Sequence, residues 1–234
     1  MKNKNAVEDQ FDHIVAKNAK EQYVFDLDLL RGKDRQIIRT LKKHGIKDKN
    51  CLDIGPGTGR FVQFLKSESA RLICAADISS EALKCCENYV DDMQKLNLES
   101  DELKFKDDMF DIIISFEVLE HLKEPENYMK EIIRVAKKDA IVIMSLPNII
   151  SLISRARMIF GILPVAIASD KTHVSFYREK DIVRMLEKYT LTPFFLPTTV
   201  SLNPLNPKSR ISLPANKYMI GLSDSLLFYF YINK

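Results

Sequence analysis

The sequence predicts an α/β protein with a doubly wound parallel sheet, and three observations carry that prediction. Continuous apolar runs, which mark strands buried on both faces, alternate with amphipathic helical stretches. A glycine-rich turn, Asp53-Ile54-Gly55-Pro56-Gly57-Thr58-Gly59, joins the first apolar run to the next helical stretch. The 234 residues suffice for one generous domain with an added cap, but are short for two full cores.

Residues 6–44 are charged, with Ile37, Ile38 and Leu41 at helical spacing and Gly45 as a stop signal. One or two helices are expected there, making residues 1–45 an N-terminal helical cap ahead of a main domain over 46–234. Asn50–Ile54 reads as the first strand. Arg60–Ser67 follows as a helix with Phe61, Phe64 and Leu65 on one face. Arg71–Asp77 is a second strand, and Ser79 or Ser80 caps a helix expected from Glu81 to about Gln94. A weak third strand is expected near Leu96–Glu99. Phe110–Ser115 is the clearest strand, Val118–Val135 reads as mostly helical with Pro125 at a helix start, and Ala140–Leu146 is a fifth strand. After Asn148 the alternation breaks: the amphipathic stretch Ile149–Ile162 opens a lid-like insert over 149–172. A helix from about Glu179 to Tyr189 and the β-prone segments Phe194–Leu196 and Leu226–Tyr231 complete the chain. Pro204, Pro207 and Pro214 mark 201–215 as a mobile loop.

Composition removes several classes. Apolar residues at 46% and charged residues at 29% exclude a disordered or fibrous chain. A net charge of +3 is too small to argue for nucleic acid. Cys51, Cys74, Cys85 and Cys86 lack C-x-x-C spacing, which excludes a zinc ribbon or a thioredoxin-like site. The start has no apolar signal core, and Pro147, Asn148, Arg155, Arg157 and Pro164 interrupt the most apolar stretch, so no transmembrane helix and a cytoplasmic protein are expected.

The glycine turn lets backbone approach a ligand, and the helix behind it favours a negative group. A dinucleotide fold asks for G-x-G-x-x-G, but Arg60 stands where the last glycine belongs, which counts against a nicotinamide cofactor. Asp77, ending the second strand, is placed to accept hydrogen bonds from both hydroxyls of a ribose. Alone, such a residue is more often a helix N-cap or turn residue; paired with the glycine loop at this spacing it becomes a strong signal.

In order along the chain, Cys51–Phe61, Ala76-Asp77-Ile78-Ser79, Phe110–Ser115, Glu117-Val118-Leu119-Glu120-His121 and Leu146-Pro147-Asn148 resemble the class I S-adenosylmethionine-dependent methyltransferases, over roughly Ile46 to Lys188. The resemblance implies a Rossmann-like seven-stranded sheet with its last strand antiparallel, and S-adenosylmethionine as cofactor. It implies that Gly55, Gly57 and Gly59 shape the cofactor loop, that Asp53 lies near the methionine amino group, and that Asp77 holds ribose with Ile78 beside adenine. An acidic residue is also implied near the adenine amino group. Glu99 and Asp101 are both available, and spacing favours Glu99.

Methyl transfer asks for alignment and for management of the acceptor proton. His121, with Glu117 and His173, forms the candidate catalytic set. On a helix, Glu117, Glu120 and His121 would share one face. The plainer reading makes Glu120 a local pairing residue and His121 a structural histidine. Glu-x-x-Glu-His followed by His173 also resembles the metal site of quinone-biosynthesis O-methyltransferases and small-RNA 3′-end 2′-O-methyltransferases. That residue set would suit magnesium, manganese or zinc. A metal is not favoured, because the stretch from Pro147-Asn148 through Phe160-Gly161 to His173 is more similar to small-molecule methyltransferases of glycan- or lipid-linked biosynthesis. Arg155 and Arg157 either contact an anionic group or solubilise the insert, with the second role ahead. The expected function is S-adenosylmethionine-dependent methylation of a small-molecule hydroxyl, releasing S-adenosylhomocysteine. The alternatives are a metal-dependent RNA 2′-O-methyltransferase, disfavoured by the absence of a Lys/Arg stripe, and a non-catalytic cofactor-binding partner subunit.

Overall fold

The apolar runs assemble into one seven-stranded sheet in the computed structural model, which describes residues 4–19, 32–168, 170–201 and 212–234. Its strands in chain order are β1 (Asn50–Ile54), β2 (Leu72–Asp77), β3 (Asp92–Lys95), β4 (Phe110–Phe116), β5 (Ala136–Pro147), β6 (Phe194–Leu196) and β9 (Ser225–Tyr231). The spatial order is β3-β2-β1-β4-β5-β9-β6. The first five strands pair in parallel, and β9 runs antiparallel between β5 and β6. This is the Rossmann-like, doubly wound sheet expected from the sequence. Side chains alternate across it, so Ile112 and Ile114 of β4 join one core while Ile113 joins the other.

Helices cover both faces. α2 (Lys33–His44) buries Ile37, Ile38 and Leu41, and α3 (Arg60–Ser67) buries Phe61, Phe64 and Leu65, in one core. α5 (Pro125–Val135) and α8 (Glu179–Glu187) fill the other with Met129, Ile132, Ile182 and Leu186. α1 (Lys4–Ala19) lies instead against α4 (Ser80–Cys86), and among its described side chains Val15 is buried but none joins either core. The insert folds as α6 (Leu152–Ile159) and α7 (Val165–Ala168), with Ser151 capping α6 by accepting from the Ser154 amide. A separate ribbon pairs β7 (Thr199–Ser201) with β8 (Ser212–Pro214). No helix among the described residues is long and apolar enough to cross a membrane.

Four elements differ in extent from the sequence reading. The helix expected to reach Gln94 ends at Cys86, and residues 92–95, not 96–99, form the third strand. Asp91 causes the change: its carboxylate accepts from the Ile73 amide at 2.7 Å while its own amide donates to the Ile73 carbonyl, drawing the chain onto the sheet edge. The helix expected from Val118 is only a 3-10 turn, Leu119–His121, followed by α5 from Pro125. Glu117 adopts a left-handed conformation (φ 57°) that turns the chain off its helical path. β5 starts early, at Ala136, with a register shift opposite Phe110 and Ile112 and with Asp139 also left-handed. Of the loop expected to be mobile over 201–215, residues 202–211 lie outside the described residues, and Pro214 belongs to the ribbon.

Candidate cofactor and acceptor site

β1 and β4 lead to connections on opposite sides of the sheet, and a crevice opens at their C-terminal ends. It widens into a cavity of about 590 Å³. Its floor is the glycine turn. Gly55 (φ 74°) sits so close to Val118 that a Cβ would come within 2.4 Å of Cγ2. A Cβ on Gly59 (φ 77°), the residue preceding α3, would meet the Cys85 carbonyl and Cys86 Sγ at 3.1 Å. Only glycine keeps both the left-handed turn and the close approach. Gly57 has no neighbour on its Cβ side and lines the cavity, leaving backbone open to a ligand.

Two carboxylates flank this turn. Asp53 on β1 is buried, and its Oδ2 has no hydrogen-bond partner. Burial pushes its carboxyl up to about 8, with Asp77 adding to the effect and Arg60 opposing it. Asp77 ends β2 and accepts from the Ser79 amide at 2.8 Å. Burial raises it to about 6 against the backbone amides of Ser79, Ile78 and Gly57. A buried, unpartnered carboxyl behind the turn and a carboxyl at the strand end are the groups a ligand ammonium and a ribose would satisfy, so these residues fit S-adenosylmethionine. α1 closes this end. Asp12 accepts from Ser79 Oγ at 2.5 Å and from the Glu81 amide at 3.2 Å, and Glu8 accepts from Ser80 and Lys95.

The acceptor side is assembled from four segments. Glu117 Oε1 accepts from Lys33 Nζ at 2.7 Å and from Ser145 Oγ at 2.8 Å. Burial raises the Glu117 carboxyl, but Lys33 and the two hydrogen bonds outweigh it and hold the group below its usual range. The side chain is enclosed by protein yet 37% accessible, because it faces the hollow. Glu120 is fully enclosed, and neither of its carboxyl oxygens has a partner. Burial, then the nearby Glu117, drives its carboxyl well above the usual range. His121 Nδ1 meets the Thr172 carbonyl at 3.2 Å and Thr172 Oγ1 at 3.0 Å, while that hydroxyl donates to Asp170 at 2.6 Å. Both partners of Nδ1 therefore accept, which places the imidazole proton on Nδ1 and the lone pair on Nε2. Burial lowers His121 below the ordinary imidazole value, keeping that lone pair free near neutrality. His173 repeats the device, with Nδ1 at 2.5 Å from the Ala166 carbonyl and Nε2 at 3.9 Å from Glu120 Oε1.

Of the residues expected at the site, Gly55, Gly57, Asp77, Ile78, Glu99, Glu117, His121 and His173 line the cavity. Asp53, Gly59 and Glu120 stand behind its wall, and Asp101 lies outside it, accepting from the Asn97 amide. Glu117, Glu120 and His121 do not share a helix face, because the left-handed Glu117 separates it from the 3-10 turn. The solubilising role expected for the insert arginines fails at Arg157. That side chain is buried and donates to the Leu163 carbonyl at 2.8 Å, while exposed Arg155 donates to the Ile150 carbonyl at 2.7 Å. Asn148 ties the end of β5 to the segment before β9 through the Gly221 and Ser223 carbonyls. Lys33, Ser145, Phe11 and Asp12 were not legible as site residues. Lys33 meets Glu117 across 84 positions, and no local pattern announces such a pair.

Fold and cleft together have the form of a class I S-adenosylmethionine-dependent methyltransferase domain. A model of the family described as "Methyltransferase domain" matches residues 25–193, and the chain belongs to that family. It is 31% identical over 106 residues to norajmaline N-methyltransferase of Rauvolfia serpentina, covering 42% of this chain and 36% of the relative. It is also 31% identical over 109 residues to an uncharacterised protein of Methanocaldococcus jannaschii, covering 47% and 49%. The chain thus spans between a third and a half of the length of these curated relatives. Among solved structures, a Thermotoga maritima protein described as an S-adenosylmethionine-dependent methyltransferase and possible histamine N-methyltransferase superposes with a TM-score of 0.66. That match has 16% identity, covers 96% of this chain and 99% of the other, and speaks for the fold.

Proposed function

We propose that the chain methylates a hydroxyl group of a small-molecule acceptor, with His121 as the base. One observation carries the reading: the free Nε2 lone pair of a neutral, Thr172-anchored imidazole belongs to the cavity that the cofactor turn opens into. When bound, S-adenosylmethionine supplies an activated methyl group on a cationic sulfur. In this reading Asp53 faces its ammonium, backbone at Gly55, Gly57 and Gly59 lets it approach, Asp77 holds the ribose hydroxyls, Ile78 packs beside adenine and Glu99 meets the adenine amino group. His121 then takes the acceptor proton, while Glu117, fixed by Lys33 and Ser145, and His173, fixed by Ala166, orient the acceptor. The same reading keeps the protein in the cytoplasm, where its four free thiols stay reduced.

The test is His121→Ala in a methyl-transfer assay, with release of S-adenosylhomocysteine as the readout. The rate should fall about 10²–10⁴-fold while cofactor affinity holds. Because the base must be unprotonated, wild-type kcat/KM should decline as pH falls through a value below the ordinary imidazole pKa. An unchanged rate in the folded variant would remove His121 from the mechanism.

A second reading has its own observation. Ligand atoms of Glu120, His121 and His173 lie within 4.8 Å of one another, and both histidines are anchored through Nδ1 with Nε2 free. These residues would hold a divalent cation, which would supply charge to lower the pKa of the acceptor hydroxyl. Chelation separates the two: activity that survives it supports the metal-free reading, and activity lost to chelator and restored by a divalent ion supports this one.

A further inference from the structure

The wall of the cavity carries charge of one sign. Lys and Arg outnumber Asp and Glu in the whole chain, 35 to 32, yet no Lys or Arg stands among the described residues that line the cavity. The lining carboxylates are Asp77, Glu99, Glu117, Asp170 and Asp224. Asp77 and Glu99 belong to the cofactor end. Glu117 and Asp170 belong to the acceptor side, where Asp170 reaches His121 through the Thr172 hydroxyl. Lys33 is held by Glu117 and is not itself part of the lining.

Each of these two acceptor-side carboxylates gives one oxygen to its neighbours and keeps the other. Both hydrogen bonds to Glu117, from Lys33 Nζ and Ser145 Oγ, end on Oε1. Both to Asp170, from the Thr172 amide and hydroxyl, end on Oδ1. Among the described residues none donates to Glu117 Oε2 or Asp170 Oδ2. Burial raises both carboxyls, but Lys33 and Ser145 at Glu117, and Thr172 at Asp170, hold them below the usual range, so both are charged at neutral pH. A separate observation points the same way. Glu120 is buried with neither oxygen partnered, and its Oε1 lies 3.9 Å from Nε2 of the cavity-lining His173. In an enclosed cleft such charge is felt strongly, and an acceptor without a positive group would leave these oxygens desolvated and unpaired.

We propose that the acceptor is a small organic cation, a protonated amine on an apolar body, and that Glu117 and Asp170 select it. The proposal rests on the methyl-transfer reading of this cavity and names the class of molecule that enters it. Phe11, Ile14, Phe116, Ile153 and Val165 of the same lining receive the apolar body. A phosphorylated or carboxylated acceptor would instead meet two carboxylates and no lining cation. Sites built for lipid-linked or nucleotide-linked acceptors ask for Lys or Arg against the phosphates.

The test is calorimetric titration of the full chain, loaded with S-adenosylhomocysteine, with three phenols of similar shape. Tyramine has a cationic tail, 4-ethylphenol a neutral one and 4-hydroxyphenylacetate an anionic one. Tyramine should bind about tenfold or more tightly than 4-ethylphenol, and 4-hydroxyphenylacetate more weakly than either. Asp170→Asn and Glu117→Gln keep the Oδ1 and Oε1 acceptors and remove the charge. Each should weaken tyramine about tenfold while leaving 4-ethylphenol within about twofold, with S-adenosylhomocysteine binding reporting that the variant is folded. Should Glu117→Gln fail to fold with Lys33 unpaired, Asp170→Asn carries the comparison alone. Failure of tyramine to bind, equal affinity for the three phenols, preference for the anion, or tyramine binding unchanged in the folded variants would overturn the proposal. The hydroxyl reading is scored separately with labelled S-adenosylmethionine. Methyl transfer to the tyramine nitrogen instead of its oxygen would fail that reading and leave the charge preference standing.

Discussion

At the scale of single residues, the site depends on carboxyls placed where they are costly without a ligand. Asp53 holds its proton up to about pH 8 in the fold, against 3.8 for the free side chain. Its stabilising share is therefore complete in acid and drains away as pH rises from the ordinary value through about 8. The ligand-free Asp53→Asn variant should be less sensitive to pH over that range and more stable than wild type at its upper end. It should also bind S-adenosylhomocysteine about tenfold to a hundredfold more weakly, the equivalent of one charged hydrogen bond. Thermal denaturation across pH, paired with calorimetry, checks both halves. Asp77→Ala should lose about 2–4 kcal/mol of cofactor binding, since two charge-assisted bonds are removed with incomplete additivity. Undiminished affinity in the folded variant would reduce Asp77 to a cap on the Ser79 amide.

Among the elements, α1 separates binding from folding. Its described side chains join neither core, yet its Phe11 ring stands edge-on to His121 at 5.1 Å between centroids while Asp12 holds the start of α4. Deleting residues 1–19 should shift unfolding by about 1 kcal/mol or less. The same deletion should speed dissociation of S-adenosylhomocysteine by about tenfold or more. Denaturant titration and stopped-flow displacement measure the two separately. Elements were legible in the sequence where burial dictated composition: β1, β2 and β4 are apolar runs because helices cover both their faces. β3 was misplaced because it is an exposed edge strand whose four residues, Asp92 to Lys95, carry no apolar run, and only Asp91 fixes its start. The cofactor turn was legible for a related reason, since close packing at Gly55 and Gly59 admits no other residue. The acceptor side was not, because Glu117 leaves the helical path through a backbone angle that its residue type does not announce.

For the molecule as a whole, β9 is the strand on which closure of the sheet depends. Its Leu226, Leu227, Phe228 and Phe230 are all fully buried, and the strand pairs with β5 along one edge and with β6 along the other. Phe228→Ala should cost about 3–5 kcal/mol in urea unfolding. A chain ending at Asp224 should not fold, because its lost burial exceeds the roughly 5–15 kcal/mol that holds a domain together. The position of β9 also governs when folding can finish. β6 pairs within this sheet only with β9, which is synthesised later, so during translation β6 and the open side of β5 wait without a partner. A ribosome stalled before Ser225 would therefore display a sticky, unfolded chain with no finished sheet. Native structure in this protein becomes available only after the ribosome has passed Tyr231 and the exit tunnel has released it.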